Sequence, residues 1–256
     1  MLPPIQLFEA LPASPPGMDQ PVMTSTPTPQ REYRQGRFRL PPGGTDLLIV
    51  RHGESQALRP NEPQALIDGQ GNPPLDPNGH AEAAKIAARL ATLPLAAIYV
   101  STMQRTAQTA APLALATGLT PVVERDLREV HLGEWEGGIY RIRVEEGHPD
   151  YDRVRAEQTW DVIPGAEPSA DLAARLKLVV AKICRAHPDQ RVVIVAHGGV
   201  IGMLAAIATG GRMFSFVGSD NASLTHIVVS GDQWILRRFN DTSHLDTDLD
   251  IPVEKE

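Results

Sequence analysis

The sequence predicts an α/β protein: a three-layer α/β/α sandwich around a mainly parallel sheet, with a small helical cap inserted. Three observations predict it. Apolar runs of strand length alternate with segments of helical period, the pattern of a sheet covered by helices on both faces. Two of the runs, Asp46 to Val50 (DLLIV) and Arg191 to Ala196 (RVVIVA), are too continuously apolar for a strand with one wet face. The chain has 256 residues, of which 42% are hydrophobic, enough for one substantial core.

Residues 1–44 hold ten of the 23 prolines and little periodic hydrophobicity, the composition of a disordered Pro-rich tail. The folded domain is expected over 45–245, with 246–256 as a loose acidic tail. DLLIV is the first strand. Asp76-Pro77 then supplies a helix start, with proline at the first helical position and an Ala-rich helix to about Leu93. Ala97 to Val100 reads as the second strand, Met103 to Leu115 as the second helix, and a third strand falls around Pro121 to Glu124. The segment Gly137 to Gly165 carries Tyr140, Arg141, Arg143, Tyr151, Arg153 and Trp160, and reads either as the helical cap over a cleft or as an exposed charged helix pair. Over Ser169 to Ala186, Leu172, Leu176, Val179 and Ile183 recur at helical spacing on one face. RVVIVA is the next buried strand, followed by Gly198-Gly199 and a helix from about Val200. Leu224 to Val229 and Gln233 to Arg238 flank Ser230-Gly231-Asp232 as a terminal hairpin.

Composition removes several function classes. A formal net charge of -7 argues against nucleic acid or an anionic membrane as partner, since both need basic surface. A single cysteine, Cys184, excludes an internal disulfide framework and fits a reducing compartment. No apolar run reaches the roughly 18 residues of a spanning helix, and prolines interrupt the N-terminal segment where a secretory signal would need an apolar stretch. A cytoplasmic location is expected. Neither H-E-x-x-H nor paired cysteines occur, so no metal or other cofactor is expected, and G-x-G-x-x-G, Walker and G-x-S-x-G motifs are absent.

The chemistry sits where strands end. Arg51-His52-Gly53-Glu54 follows the first strand and Ala196-His197-Gly198-Gly199 follows the late one. In open α/β sheets ligands bind beyond the carboxyl ends of the strands, and an adjacent glycine allows close backbone approach. Arg105 falls in the first turn of the helix after the second strand, where the guanidinium and unsatisfied helix N–H groups both favour an anion. Leu127 to Gly137 (LREVHLGEWEG) adds a loop-like stretch rich in carboxylates. Taken singly, each arginine would be an ordinary surface ion-pair residue and His197 a structural histidine; the conjunction reverses that expectation.

Together RHGES (51–55), LDPNGHAEA (75–83), STMQRTAQTA (101–110), LREVHLGEWEG (127–137) and AHGG (196–199) resemble the histidine phosphatase superfamily, which includes the cofactor-dependent phosphoglycerate mutases. The resemblance spans about residues 46–240. It implies His52 as the nucleophile that takes the phosphoryl group, with Arg51, Arg105 and His197 around the phosphoryl oxygens. Glu129 would protonate the leaving oxygen and then activate water. The implied partner is a small phosphorylated substrate.

Two departures from the family pattern matter. Many members continue RHGET with x-x-N, placing an asparagine in the phosphate pocket, where this chain has Leu58; Gln56 or Asn61 is the expected replacement. The mutase branch reads E-R-H-Y-G where this chain has Glu129-Val130-His131-Leu132-Gly133, which favours a simple phosphatase. A mutase, or a non-catalytic phosphate-binding module on the same fold, stands as the alternative. Among the remaining histidines, His131 is placed for a role by its nearness to Glu129.

Overall fold

In the computed structural model the described residues are 32–59, 62 and 64–245. The expected acidic tail at 246–256 and Asn61 lie outside them, as does most of the Pro-rich segment. Backbone contacts divide the chain into two units, 1–38 and 39–256. In the first, the described residues hold no helix or strand, and Arg34 pairs with Glu32 at 2.6 Å.

The second unit runs β1 (Thr45–Arg51), β2 (Leu66–Ile67), β3 (Gln70–Gly71), α1 (Pro77–Leu90), β4 (Ala97–Val100), α2 (Gln104–Thr117), β5 (Val122–Val123), α3 (Ile139–Glu145), α4 (Pro149–Glu157), α5 (Ser169–Ala186), β6 (Arg191–Ala196), α6 (Gly198–Thr209), β7 (Leu224–Ser230) and β8 (Gln233–Asp241). The main sheet has the order β5-β4-β6-β1-β7-β8. Its first four strands are parallel, and β7 and β8 run antiparallel. Alternation along each strand assigns the two faces. Leu48, Val50, Ile98, Val100, Val193 and Val195 pack with Ile86, Leu90 and Leu113 of α1 and α2. Leu47, Ile49, Val192 and Ile194 pack with α5 and α6 on the opposite face. The four α5 residues picked out by helical spacing are all essentially solvent-free, each contributing on the order of 1.5–3 kcal/mol at most.

The structure differs from the sequence expectation at several ends. α1 stops at Leu90 and α2 continues to Thr117, through Pro112. α6 begins at Gly198, so the glycines expected to precede the helix form its first turn. Between β1 and α1, where no element is expected from the sequence, stands the β2–β3 hairpin, turned by Asp68 and Gly69 at positive φ. Strands of two residues carry no readable alternation. The segment after Gly137 does form two helices, α3 and α4.

The start of α1 is locked to the loop after β1. Asp76 caps the helix by accepting from the Gly79 N–H at 2.7 Å, with Pro77 in the first turn. Gly79 itself lies against Gly53 and Glu54: a Cβ on Gly53 would meet the Gly79 carbonyl at 2.5 Å, and one on Gly79 would overlap the Glu54 backbone. Two backbones therefore touch directly beside His52. Gly79→Ala is expected to destabilise the protein by about 1–3 kcal/mol, the ordinary cost of overpacking, read as a lower urea midpoint at unchanged slope.

Candidate active site

Register brings the two strand-end histidines together. β1 pairs with β6 so that Arg51 faces Ala196, and the His52 N–H donates to the Ala196 carbonyl at 3.0 Å. The next residue on each strand is therefore a histidine, and the ring centroids of His52 and His197 lie 5.2 Å apart. β4 flanks β6, which delivers Ser101 and then Arg105 to the same edge.

Each ring nitrogen of His52 has a distinct environment. Nδ1 lies 2.8 Å from the carbonyl of Gly53, an acceptor only, so this nitrogen carries the proton and Nε2 keeps its lone pair. The His52 carbonyl accepts from the Asn221 side-chain amide at 2.9 Å and from the Ala222 N–H at 3.3 Å. Burial, then the charges of Arg105 and Arg51, hold the imidazole well below its ordinary value of 6.5.

His197 is fully buried, and its hydrogen bonds have forced directions. Arg105 can only donate, so at 3.1 Å from Arg105 Nη2 the His197 Nδ1 is an acceptor. Nε2 then carries the proton and faces Ser101 Oγ at 2.9 Å. Ser101 Oγ lies 3.0 Å from Thr106 Oγ1, whose own hydroxyl donates to the Met103 carbonyl at 2.8 Å. Burial and the Arg105 charge depress this imidazole too.

Both expected arginines stand beside the histidines, Arg105 buried and Arg51 partly buried. Arg105 is 7% exposed, and burial pulls it down to about 10, so it stays charged at neutral pH. Its Nη1 donates to the Gly71 carbonyl at 3.0 Å. Arg51 Nη1 donates to the Ser219 carbonyl, while the buried Nε has no hydrogen-bond partner among the described residues. Leaving such a donor unpaired costs on the order of 1–3 kcal/mol, which an anion at this spot would recover.

Glu129 reaches the same place from its loop. Its carboxylate accepts from the N–H groups of Gly199 at 3.0 Å and Val200 at 3.2 Å, in the first turn of α6, and from Val130 at 2.9 Å. The side chain of the N-cap residue itself, His197, makes no capping bond to that helix start. A Cβ on Gly199 would stand 2.7 Å from the carboxylate and 3.0 Å from the Trp160 ring, so only glycine lets the acid approach. A cavity of about 500 Å³ opens from His52, Arg51, Arg105 and Glu129 toward α3 and α4, under Trp135, Tyr140 and Tyr151.

The structure thus brings all five sequence-predicted residues to one place. It also corrects one expectation and adds what the sequence hid. Gln56 is exposed and does not line the cavity; Leu58 packs against the Cα side of Gly138 instead. His131 turns its Nδ1 to the Gly133 N–H at 3.0 Å and is no part of the cavity wall. The β2–β3 hairpin supplies Gln70, which donates to the Glu129 carbonyl at 3.0 Å, and Gly71, which holds Arg105. Arg175 of α5 holds the same Glu129 carbonyl at 3.1 Å. Arg141 of α3 lines the cavity and bonds to Ser55 Oγ at 2.9 Å and the Gln56 carbonyl at 3.2 Å. Only its arginine side chain, in a segment already read as a cap, signalled it.

Among the described residues no helix is long and apolar enough to cross a membrane. The family model "Histidine phosphatase superfamily (branch 1)" matches residues 47–242. The chain is 29% identical over 205 residues to phosphoglycerate mutase-like protein 4 of Arabidopsis thaliana, covering 78% of this chain and 87% of that one. It is 30% identical over 209 residues to a metal-independent phosphoserine phosphatase of the same plant, covering 78% and 83%. A solved structure of mycobacterial glucosyl-3-phosphoglycerate phosphatase with inorganic phosphate is similar with a TM-score of 0.64 and 29% identity, covering 78% of this chain and 98% of that one. The histidines and arginines thus stand in a fold shared with that solved structure, and the chain is an enzyme belonging to the histidine phosphatase superfamily, branch 1.

Proposed function

We propose that this enzyme hydrolyses a small phosphorylated metabolite through a phosphohistidine at His52, without a metal. The observation that carries the reading is the state of His52: a neutral imidazole with Nδ1–H bound to Gly53, its Nε2 lone pair available, within reach of the Arg105 and Arg51 charges. Nε2 attacks phosphorus while the bond from phosphorus to the alcohol oxygen breaks. Glu129 gives its proton to the departing oxygen. Water then attacks the phosphohistidine, the P–N bond breaks, and the water's proton passes to Glu129, which restores the enzyme and releases phosphate.

Arg51 and Arg105 offset the charge that builds on the phosphoryl oxygens, and Arg51 Nε is the donor left over for it. Fixed cationic groups of this kind do the electrostatic work a divalent ion does elsewhere. His197 orients Arg105 and backs the phosphoryl site. The names of the relatives, among them a metal-independent phosphoserine phosphatase, support the reading.

Hydrolysis of an aryl phosphate in EDTA is the direct test: wild type is active, and His52→Ala loses on the order of a thousandfold or more. Activity retained in that variant sinks the nucleophile assignment. Glu129→Gln is expected to slow alkyl phosphate hydrolysis at least tenfold more than hydrolysis of an activated aryl phosphate, whose leaving oxygen needs little protonation; equal losses remove Glu129 as the acid. The pH dependence follows from His52. Its depressed value keeps the nucleophile unprotonated through neutral pH, so the acid limb of kcat/KM lies below pH 6.5, the ordinary imidazole value. Arg105→Gln removes a neighbouring positive charge, so the His52 proton is held more tightly and the limb moves to higher pH, which an NMR titration of His52 follows directly.

A further inference from the structure

Arg175 of α5 is no part of the cavity wall, yet its guanidinium grips the loop that carries Glu129. Nη1 donates to the Asp126 carbonyl at 2.7 Å, and Nη2 to the Glu129 carbonyl at 3.1 Å. Nε and Nη2 also donate to the two oxygens of Glu167, at 2.6 and 2.8 Å. Glu167 in turn holds the far side of the same loop. Its N–H donates to the His131 carbonyl at 2.8 Å, and its Oε2 accepts from the His131 N–H at 3.3 Å. The pair therefore fixes the backbone on both sides of the acid, at 126, 129 and 131.

The geometry is that of a brace. The Arg175 and Glu167 side chains are only 19% and 16% exposed, and two parallel N–H···O bonds join them, a fork that lysine cannot form. Leu127 and Val130 are buried and anchor the depth of the loop, but apolar contacts have no direction. Direction comes from the Glu129 carbonyl, which accepts from Gln70 on the cavity side and from Arg175 on the α5 side. The Glu129 carboxylate must meet the Gly199 and Val200 N–H groups of a different element, α6. A turn of the Glu129 peptide would swing it away, and a misplacement of about 1 Å can cost on the order of a hundredfold in rate.

We propose that Arg175, braced by Glu167, is the positioning residue for the acid: it sets where the Glu129 carboxylate stands relative to the leaving oxygen and affects the rate only through Glu129. The inference rests on Glu129 as the acid of the phosphomonoester reading. The charge of Arg175 is also felt at His197, after Arg105, His52 and Arg51, so the test separates position from charge.

The test is a double-mutant cycle in kcat/KM, which covers the steps up to release of the alcohol. On phenyl phosphate, Arg175→Met is expected to cost about tenfold in the otherwise wild-type enzyme and less than about twofold in Glu129→Gln. On 4-nitrophenyl phosphate, whose leaving oxygen needs little protonation, its cost stays below about threefold. Equal costs in the two backgrounds, or on the two esters, overturn the proposal, because a general loosening of the fold gives that result. Arg175→Lys keeps the charge but cannot span two carbonyls and Glu167 together, so a selective loss of about threefold or more is expected to remain. Full recovery in Arg175→Lys overturns the brace in favour of charge alone. The same cycle is run with Arg175→Lys where Arg175→Met does not fold. Failure of the underlying reading looks different: Glu129→Gln by itself then loses equally on both esters.

Discussion

Four basic side chains gathered at the carboxyl edge of the sheet, from the ends of β1 and β6 and the first turn of α2, are the constraint on which this structure is built. Arg51, His52, Arg105 and His197 are brought within a few ångströms of one another and largely withheld from water. Burying cationic groups side by side is unfavourable unless their donors are met and the imidazoles stay neutral. The surrounding chain answers both needs, with Arg51 Nε the exception. Backbone carbonyls of Gly53, Gly71 and Ser219 take N–H groups, Ser101 and Thr106 fix the proton on His197, and burial, followed by the arginine charges, keeps both rings unprotonated. On the proposed reading, the result is a pocket preset for a dianion, in which little has to reorganise when charge arrives.

The same constraint explains where glycine is unavoidable. Gly53 and Gly79 let two backbones meet behind His52, and Gly199 lets Glu129 reach the start of α6. Glu129 is held twice over, by three N–H groups on its carboxylate and by Gln70 and Arg175 on its carbonyl. Elements far apart in the chain, the β2–β3 hairpin, α5 and α6, therefore converge on one residue. Trp135, Tyr140 and Tyr151 close the opposite side through edge contacts among their rings, which gives the cavity an apolar roof over a charged floor.

Much of this was legible in the sequence because it is local. A strand that ends in Arg-His-Gly or His-Gly-Gly announces itself, since the apolar run, the glycine and the functional side chain are contiguous. Arg105 was readable from its place in the first turn of a helix. The α5 face and the capped start of α1 followed from period and from Asp76-Pro77. What stayed hidden was pairing at a distance. Leu58 signalled a departure from the pattern of the family, yet nothing near it says that the cation facing the cavity comes from α3, more than eighty residues later. Two-residue strands such as β2 and β3 hold too few side chains to show a period, so the hairpin that grips Arg105 left no signal.

By itself, then, the sequence determined the layered α/β fold, the order of its main elements and the five residues that meet at the sheet's edge, because these follow from hydrophobic period, turn chemistry and contiguous motifs. The tertiary structure alone decided which imidazole nitrogen of each histidine carries the proton, which backbone groups hold Glu129, and that Arg141 joins the cavity while Gln56 faces water. Those outcomes depend on strand register and on contacts between residues distant in the chain, and no local pattern encodes them.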